Sequence, residues 1–346
     1  MFKLQYILPT IDVIARRGTK SPDVAISCRF YEKSQRRLPR RFAPRNDMRF
    51  LIVRQLDKLQ FERMWKMELR HAAIHGGRLS TVLKEEMKMS TGLMNRLKWQ
   101  DLLFVNGVPR HTDFAVNPGD VITVPMDEPE PDYPAEDGEL TILYEDDHIL
   151  AVDKPAGMLI HPSHCKNTGT LANRVLGYFN RTGQHCAFHP VTRLDRDTFG
   201  IVLLGKNSHI HRLLQQCGMV KIYHAMTLGG PENDEGTIDA PIARRPLPSL
   251  LREVREDGKP SLTEYRVLKR KGNLCKLSLR PITGRTHQLR VHCAHMGYPI
   301  LGDPQYGNEE SQMDLPSQLL CAHSLEFDHP MTGEHLLLTS KMDAEY

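Results

Sequence analysis

In the stretch HPVTRLDRDTFGIVLLGKN, one carboxylate stands between two guanidinium groups: Asp195 is flanked by Arg193 and Arg196. Positive charge that close favours the ionised carboxyl and lowers its pKa, which suits an aspartate acting as nucleophile or base. Taken alone, the R-x-D spacing fits a surface ion pair equally well. Turn-forming and charged residues precede Asp195, and the apolar run FGIVLLG follows it. The aspartate is therefore expected on a loop or strand edge that opens into a cleft.

Other clusters point to weaker chemistry. His287, His292, Cys293 and His295 crowd together, but their spacing matches no zinc ligand set, so no metal is expected; His161, His164 and Cys165 in HPSHC fit even less well. Gly200-x-x-x-x-Gly205-Lys206 begins like a phosphate-binding loop, yet Asn207 takes the hydroxyl position and the intervening IVLL reads as a buried strand. A glycosidase-type hydrolase needs two carboxylates facing one bond, and the nearest second acid, Asp197, lies two residues along. Tyr223 and Arg290 read alone are a half-buried core tyrosine and a surface ion-pair partner.

Elements must position these groups. The first fifty residues hold twelve Lys or Arg against four Asp or Glu, while the whole 346-residue chain carries only +4. The rest is thus net acidic, and nucleic acid would have to be met by local clusters such as Arg244-Arg245 or Lys269-Arg270-Lys271. Residues 1–65 are expected to be a disordered basic leader. Its composition admits an organellar transit peptide, an over-extended reading frame or an RNA-binding arm. The seven scattered cysteines, never spaced C-x-x-C, imply free thiols and a cytoplasmic setting, with organellar import through the leader as the other reading. No apolar run is long enough to span a membrane.

Residues 66–125 are expected to be a small α/β domain. Ser80 or Thr81 should cap a helix over LSTVLKEEMK, and Ser90 a second over TGLMNRLKW, exposing Arg96 and Lys98. Asn106-Gly107 and Asn117-Pro118-Gly119-Asp120 are turns around short strands. The two helices, the VNG and PGD turns and the VITV strand resemble the RNA-binding domain named after the fourth protein of the small ribosomal subunit. Residues 126–139 (MDEPEPDYPAEDGE) read as an acidic, proline-rich linker. Residues 140–346 carry many β-type runs, HILAVDKP, FGIVLLGK and LCKLSLRPI among them, and few helices, chiefly TLANRVLGYFN and HIHRLLQQCG, which predicts an α+β domain with a mainly antiparallel sheet.

Four segments appear in order: VDKPAGMLIHPS, TRLDRDTFGIVLLGKN, KIYHAMTLGG and RPITGRTHQLRVHCAHMGYPILGDPQYG. Together they resemble the RluA-type family of pseudouridine synthases over residues 140 to about 328. The resemblance implies catalysis by Asp195, with Tyr223 stacking on the target base and Arg290 pairing with the aspartate. It implies that Arg193 fills the gap left by a flipped nucleotide, that Arg285, His287, Gln288 and Lys154 belong to the substrate-binding surround, and that Lys154, Pro155 and Gly157 support the cleft. The implied partner is structured RNA, ribosomal before transfer RNA, with no cofactor and no protein partner. Extrusion of a uridine into a pocket suits such chemistry physically, since an aromatic face holds a flipped base and an arginine plane replaces it in the stack. Two residues depart from the family pattern: Thr192 replaces a usual histidine and Phe199 a small serine. A fold retained as an inactive RNA-binding or assembly factor is the competing reading.

Overall fold

The computed structural model describes residues 67–126, 128, 131–163 and 166–345. The basic leader, Cys28, His164 and Cys165 lie outside the described residues. Residues 67–126 comprise β1 (Glu68–Ala72), β2 (Gly77–Arg78), α1 (Leu79–Glu85), α2 (Thr91–Trp99), β3 (Phe104–Val105), β4 (Val108–Pro109), β5 (Ala115–Val116) and β6 (Val121–Pro125). Four strands form a sheet in the order β1-β6-β3-β4, and β2 pairs with β5. Leu79, Leu83, Met87, Leu103, Ile122 and Val124 form their own apolar core.

Asn106 and Gly107 both have positive φ, 52° and 76°, the geometry a two-residue hairpin turn requires. Ser90 caps α2, its Oγ accepting the Leu93 N–H at 3.2 Å. Neither Ser80 nor Thr81 caps α1; Arg78 holds that position without a side-chain bond. The N–H groups of Leu79 and Ser80 donate instead to Phe114 O and Thr112 O, each at 2.8 Å. A neighbouring segment satisfies donors that a hydroxyl would otherwise serve.

The larger part contains β7 (Thr141–Glu145), β8 (Ile149–Lys154), α3 (Leu171–Arg181), β9 (His189–Pro190), β10 (Phe199–Gly205), α4 (Ser208–Gln216), β11 (Val220–Leu228), β12 (Glu235–Asp239), β13 (Ile242–Arg244) and β14 (Arg252–Val254). It continues through β15 (Leu262–Lys271), β16 (Leu274–Pro281), α5 (Gln288–His295), α6 (Glu309–Gln312), β17 (Leu320–Asp328) and β18 (His335–Thr339). One sheet runs β12-β15-β16-β11-β17-β10-β8-β7, with β9 and β18 paired to β10 and β17. Its pairs are antiparallel except β10 with β17. The chain is α+β with a mainly antiparallel sheet. β8 and β10 are buried along their whole length, because α3 covers one face and α4 with β18 the other. The IVLL run is accordingly a central strand.

The small sheet is fixed to the large one through carbonyls just beyond α1. His209 Nε2 lies 3.0 Å from Met87 O, Arg212 donates to Lys88 O at 2.8 Å, and Lys88 Nζ donates to Pro330 O at 2.9 Å. His209 and Arg212 thereby satisfy carbonyls just past the end of α1, and Lys88 satisfies one just past β17. Residues 131–139 have no regular structure but lie along α3. Asn173 Nδ2 donates to Pro134 O at 2.8 Å, and a Cβ at Gly177 would meet Glu136 O at 2.1 Å. Among the described residues, no helix is long and apolar enough to cross a membrane.

Candidate active site

A cleft of about 460 Å³ opens over the middle of the large sheet, lined among others by Arg193, Asp195, Lys221, Tyr223, Arg285 and Arg290. Asp195 stands in the loop between β9 and β10, and its neighbours arrive from β11, from the loop after β16 and from α5. Thr192 pins the loop by accepting the Leu203 N–H at 2.9 Å. Phe199 seats in an apolar cluster with Met226, Leu301 and Cys321, so both departures from the family pattern are built into the packing.

The cation that faces Asp195 is neither of its sequence neighbours. Arg196 turns to Asp197 through two bonds of 3.0 and 2.9 Å, because adjacent residues on a turn meet at no entropic cost of chain closure. Arg290 Nη1 donates to Asp195 Oδ2 at 3.1 Å. Three further donors go to Asp303 (Nε at 2.7 Å, Nη2 at 2.7 Å) and to Gln305 Oε1 at 2.9 Å. The Arg290 side chain is 5% exposed and that of Asp195 32%. A buried guanidinium held by three other bonds thus presents a fixed donor to a carboxylate that reaches solvent.

Tyr223 is the fourth residue of β11, beside a register shift between Ile222 and Tyr223 where β11 pairs with β17. Such bulges re-aim side chains next to active sites. Burial, and then the negative charge of Asp195, push the Tyr223 phenol up to about 12. It keeps its proton at neutral pH and offers a ring face and an O–H donor. Lys221 lines the same wall, its ammonium lowered by burial.

Arg193 and Arg285 are exposed at the cleft. His287 is half-buried, with Nε2 3.8 Å from Asp195 Oδ2. It occupies the left-handed region at φ 57°, which costs about 1–2 kcal/mol for a residue with a Cβ. Gln288 touches the cleft but has no bonding capacity to spare: its oxygen accepts from Thr283 Oγ1 (3.0 Å) and Arg285 N (2.9 Å), and its amide donates to Leu262 O and Thr263 Oγ1 (3.0 Å each). These bonds brace the loop. Lys154 is also displaced from the substrate-binding surround. It is fully buried and its ammonium donates to Pro155 O, Met158 O and Arg196 O, each at 2.9 Å. Burial lowers it to about 8 against the pull of Asp197 and Asp195. Lys154 ties the end of β8 to the loop carrying Asp195.

His292 spends both ring nitrogens, on Thr263 Oγ1 at 2.9 Å and Ala240 O at 3.0 Å. Among the described residues, the grouping that resembles a metal ligand set is His224, His323 and Asp343, where Lys276 already donates to the aspartate at 2.6 Å. Of the basic clusters named from sequence, Arg270 pairs with Asp234 at 2.8 Å and Arg245 with Glu253 at 3.4 Å. Sequence reasoning gave no role to Lys221, Asp303, Gln305 or Tyr306. The signal was present in GDPQYG, since a buried arginine needs an acid to balance its charge.

The family described as RNA pseudouridylate synthase matches residues 148–295. The uncharacterized RNA pseudouridine synthase YlyB of Bacillus subtilis is 39% identical over 240 residues, 67% of this chain and 79% of that protein. Ribosomal large subunit pseudouridine synthase D of Pseudomonas aeruginosa is 37% identical over 228 residues, 61% of this chain and 71% of that one. Among solved structures, human RNA pseudouridylate synthase domain containing 1 superposes with a TM-score of 0.50 at 25% identity, covering 62% of this chain and 93% of the human one. With a bacterial synthase matched over more than three quarters of its length, and a fold shared with a human one, this chain belongs to the RNA pseudouridine synthase family.

Proposed function

We propose that the enzyme isomerises uridine to pseudouridine in structured RNA, ribosomal RNA before transfer RNA, in the cytoplasm, with Asp195, Tyr223 and Arg290 as its catalytic residues. The reading is supported above all by one observation: the three line a single cleft, with Arg290 3.1 Å from the Asp195 carboxylate. The relatives that act on the large ribosomal subunit favour ribosomal RNA.

A uridine in a helix hides its glycosidic bond and must swing out to reach Asp195. The Tyr223 ring stacks on the extruded base, and exposed Arg193 fills the vacated step. Asp195 then attacks the ribose or abstracts a ribose proton. The bond from C1′ to N1 breaks, the base turns, and C1′ joins C5. The C5 proton leaves and N1 gains one, so atoms and electrons balance within the substrate. The Arg290 donor holds Asp195 in place throughout. Residues 66–125, of the ribosomal-protein S-four type, anchor the RNA through Arg96 and its neighbours on α2, joined to the catalytic part by the acidic segment 126–139.

The test is tritium release from RNA carrying uridine labelled at carbon five. Asp195→Asn should abolish release while RNA affinity stays within about threefold, because positioning rests mainly on phosphate contacts. Residual activity near wild type would refute the assignment. RNA binding by the unaltered protein without release from any ribosomal or transfer RNA would favour the inactive assembly factor.

A further inference from the structure

The GDPQYG segment supplies a tyrosine that the chemistry above does not use. The Tyr306 hydroxyl lies 2.8 Å from His287 Nδ1 and accepts the backbone N–H of Arg252 on β14 at 2.9 Å. The other ring nitrogen of His287 faces Asp195 Oδ2 at 3.8 Å, a gap of the kind that closes when substrate docks. The two ends of this chain set its direction. The Arg252 amide can only donate, and an ionised carboxylate can only accept. Burial lowers the His287 imidazole, against the opposing charge of Asp195, so the ring carries one proton. With the Arg252 N–H on a lone pair of the phenol oxygen, the Tyr306 hydrogen is free to serve Nδ1, which leaves the ring proton on Nε2. Every donor then points from the β13–β14 hairpin toward Asp195.

His287 is held in this role by its surroundings. Its left-handed backbone precedes α5, whose first residue, Gln288, is bonded on every side. The Tyr306 ring meets the His287 ring edge-on, with centroids 5.6 Å apart and planes at 75°. The same ring lies under the Arg290 guanidinium at 5.0 Å. One tyrosine therefore touches both groups that approach Asp195. Both approach the same oxygen, Oδ2, and among the described residues none bonds to Oδ1. The contacts to the carboxylate are thereby asymmetric, both falling on Oδ2.

We propose that Tyr306 and His287 form a positioning relay that clamps Asp195 Oδ2 and ties the catalytic carboxylate to the β13–β14 hairpin. This rests on the assignment of Asp195 as the reacting acid and deepens it. Tyr306→Phe keeps both ring contacts and deletes only the hydroxyl. Misplacement of a reacting group by a fraction of an ångström to an ångström lowers kcat by roughly ten- to a hundredfold, and that loss is expected with KM and RNA affinity changed less than about threefold. His287→Gln, whose amide accepts from Tyr306 and donates to Asp195 without taking a charge, should recover most of the rate that His287→Ala loses and keep the wild-type pH profile.

Turnover by Tyr306→Phe within about twofold of wild type would overturn the relay. A raised KM at unchanged kcat would overturn it too, by making Tyr306 a substrate contact. Should Tyr306→Phe fail to fold, nitrogen-15 NMR of the unaltered enzyme decides: the Nε2–H tautomer of His287 at neutral pH is expected, and the Nδ1–H tautomer or imidazolium contradicts the proposal. If Asp195→Asn retains activity, the catalytic assignment itself fails. If Asp195→Asn is dead and Tyr306→Phe is unchanged, only the relay fails.

Discussion

Replacing Gly200 with alanine probes how rigidly the sheet holds Tyr223 against Asp195. Gly200 sits at φ 107°, and a Cβ there would lie 2.4 Å from Ala322 O and 2.7 Å from Ala322 N. Ala322 is paired to Gly200 on one side and to Tyr223 on the other. It cannot retreat without moving the tyrosine. A residue with a Cβ in the left-handed half of the map costs about 1–2 kcal/mol, and forcing an extra carbon into packed structure typically costs about 1–3 kcal/mol more. Gly200→Ala should therefore destabilise by about 2–5 kcal/mol.

Gly272, in the turn between β15 and β16, separates the two contributions. Its φ is 60° and no atom lies within 4 Å of its virtual Cβ, so Gly272→Ala meets only the backbone cost. The gap between the two variants in urea unfolding should be about 1–3 kcal/mol, which is the steric part. At a temperature where both are folded, Gly200→Ala should lose about tenfold or more in kcat, since a small misplacement near the reacting atoms is costly, while Gly272→Ala turns over normally. Equal destabilisation of the two would mean that β17 yields freely, and the argument for a rigidly placed Tyr223 would be wrong.

Arg290→Met strands the buried Asp303, 1% exposed in its side chain, with only the N–H groups of Gln305 and Tyr306 as partners. Breaking a buried pair costs about 3–5 kcal/mol, and those two donors place this case near 3; adding Asp303→Leu should restore stability in urea titrations but not activity, whereas an unchanged midpoint for the single variant contradicts the buried pairing. His209 supplies a pH dependence at the junction of the two sheets: burial draws its imidazole from 6.5 down to about 4, against the opposing pull of the Met87 carbonyl. A folded pKa below the unfolded value means stability that is complete above about 6.5 and lost as pH falls toward 4, roughly 3 kcal/mol in all. His209→Gln cannot titrate, so its unfolding free energy should fall by that much less over the same range; parallel curves for the two proteins would refute the linkage.

How much of this architecture was legible in the residues depended on where polar groups lie. β8, β10 and β16 read as strands because their buried faces are apolar, and α3 and α4 read as helices because each presents an apolar stripe. α5 did not read as a helix. Gln288, Arg290 and His292 are buried on it beside Leu289, Val291 and Cys293, so no stripe survives and the polar-outside rule has nothing to grip. β17 was hidden in the same way by His323, Ser324 and Glu326, although it pairs with β10, β11 and β18. The error at Asp195 has one origin with these. Sequence adjacency nominated Arg193 and Arg196, whereas its cation is Arg290, which only the family resemblance implied, 95 residues away on the helix the pattern could not show. A polar side chain buried with its donors paired to a distant residue breaks the local rules because that residue offsets the cost of its burial. In this chain those distant partners, Asp303 for Arg290 and Thr263 for Gln288, hold two side chains that line the cleft. The part of the fold that local pattern could not reach is thus the part that holds the site.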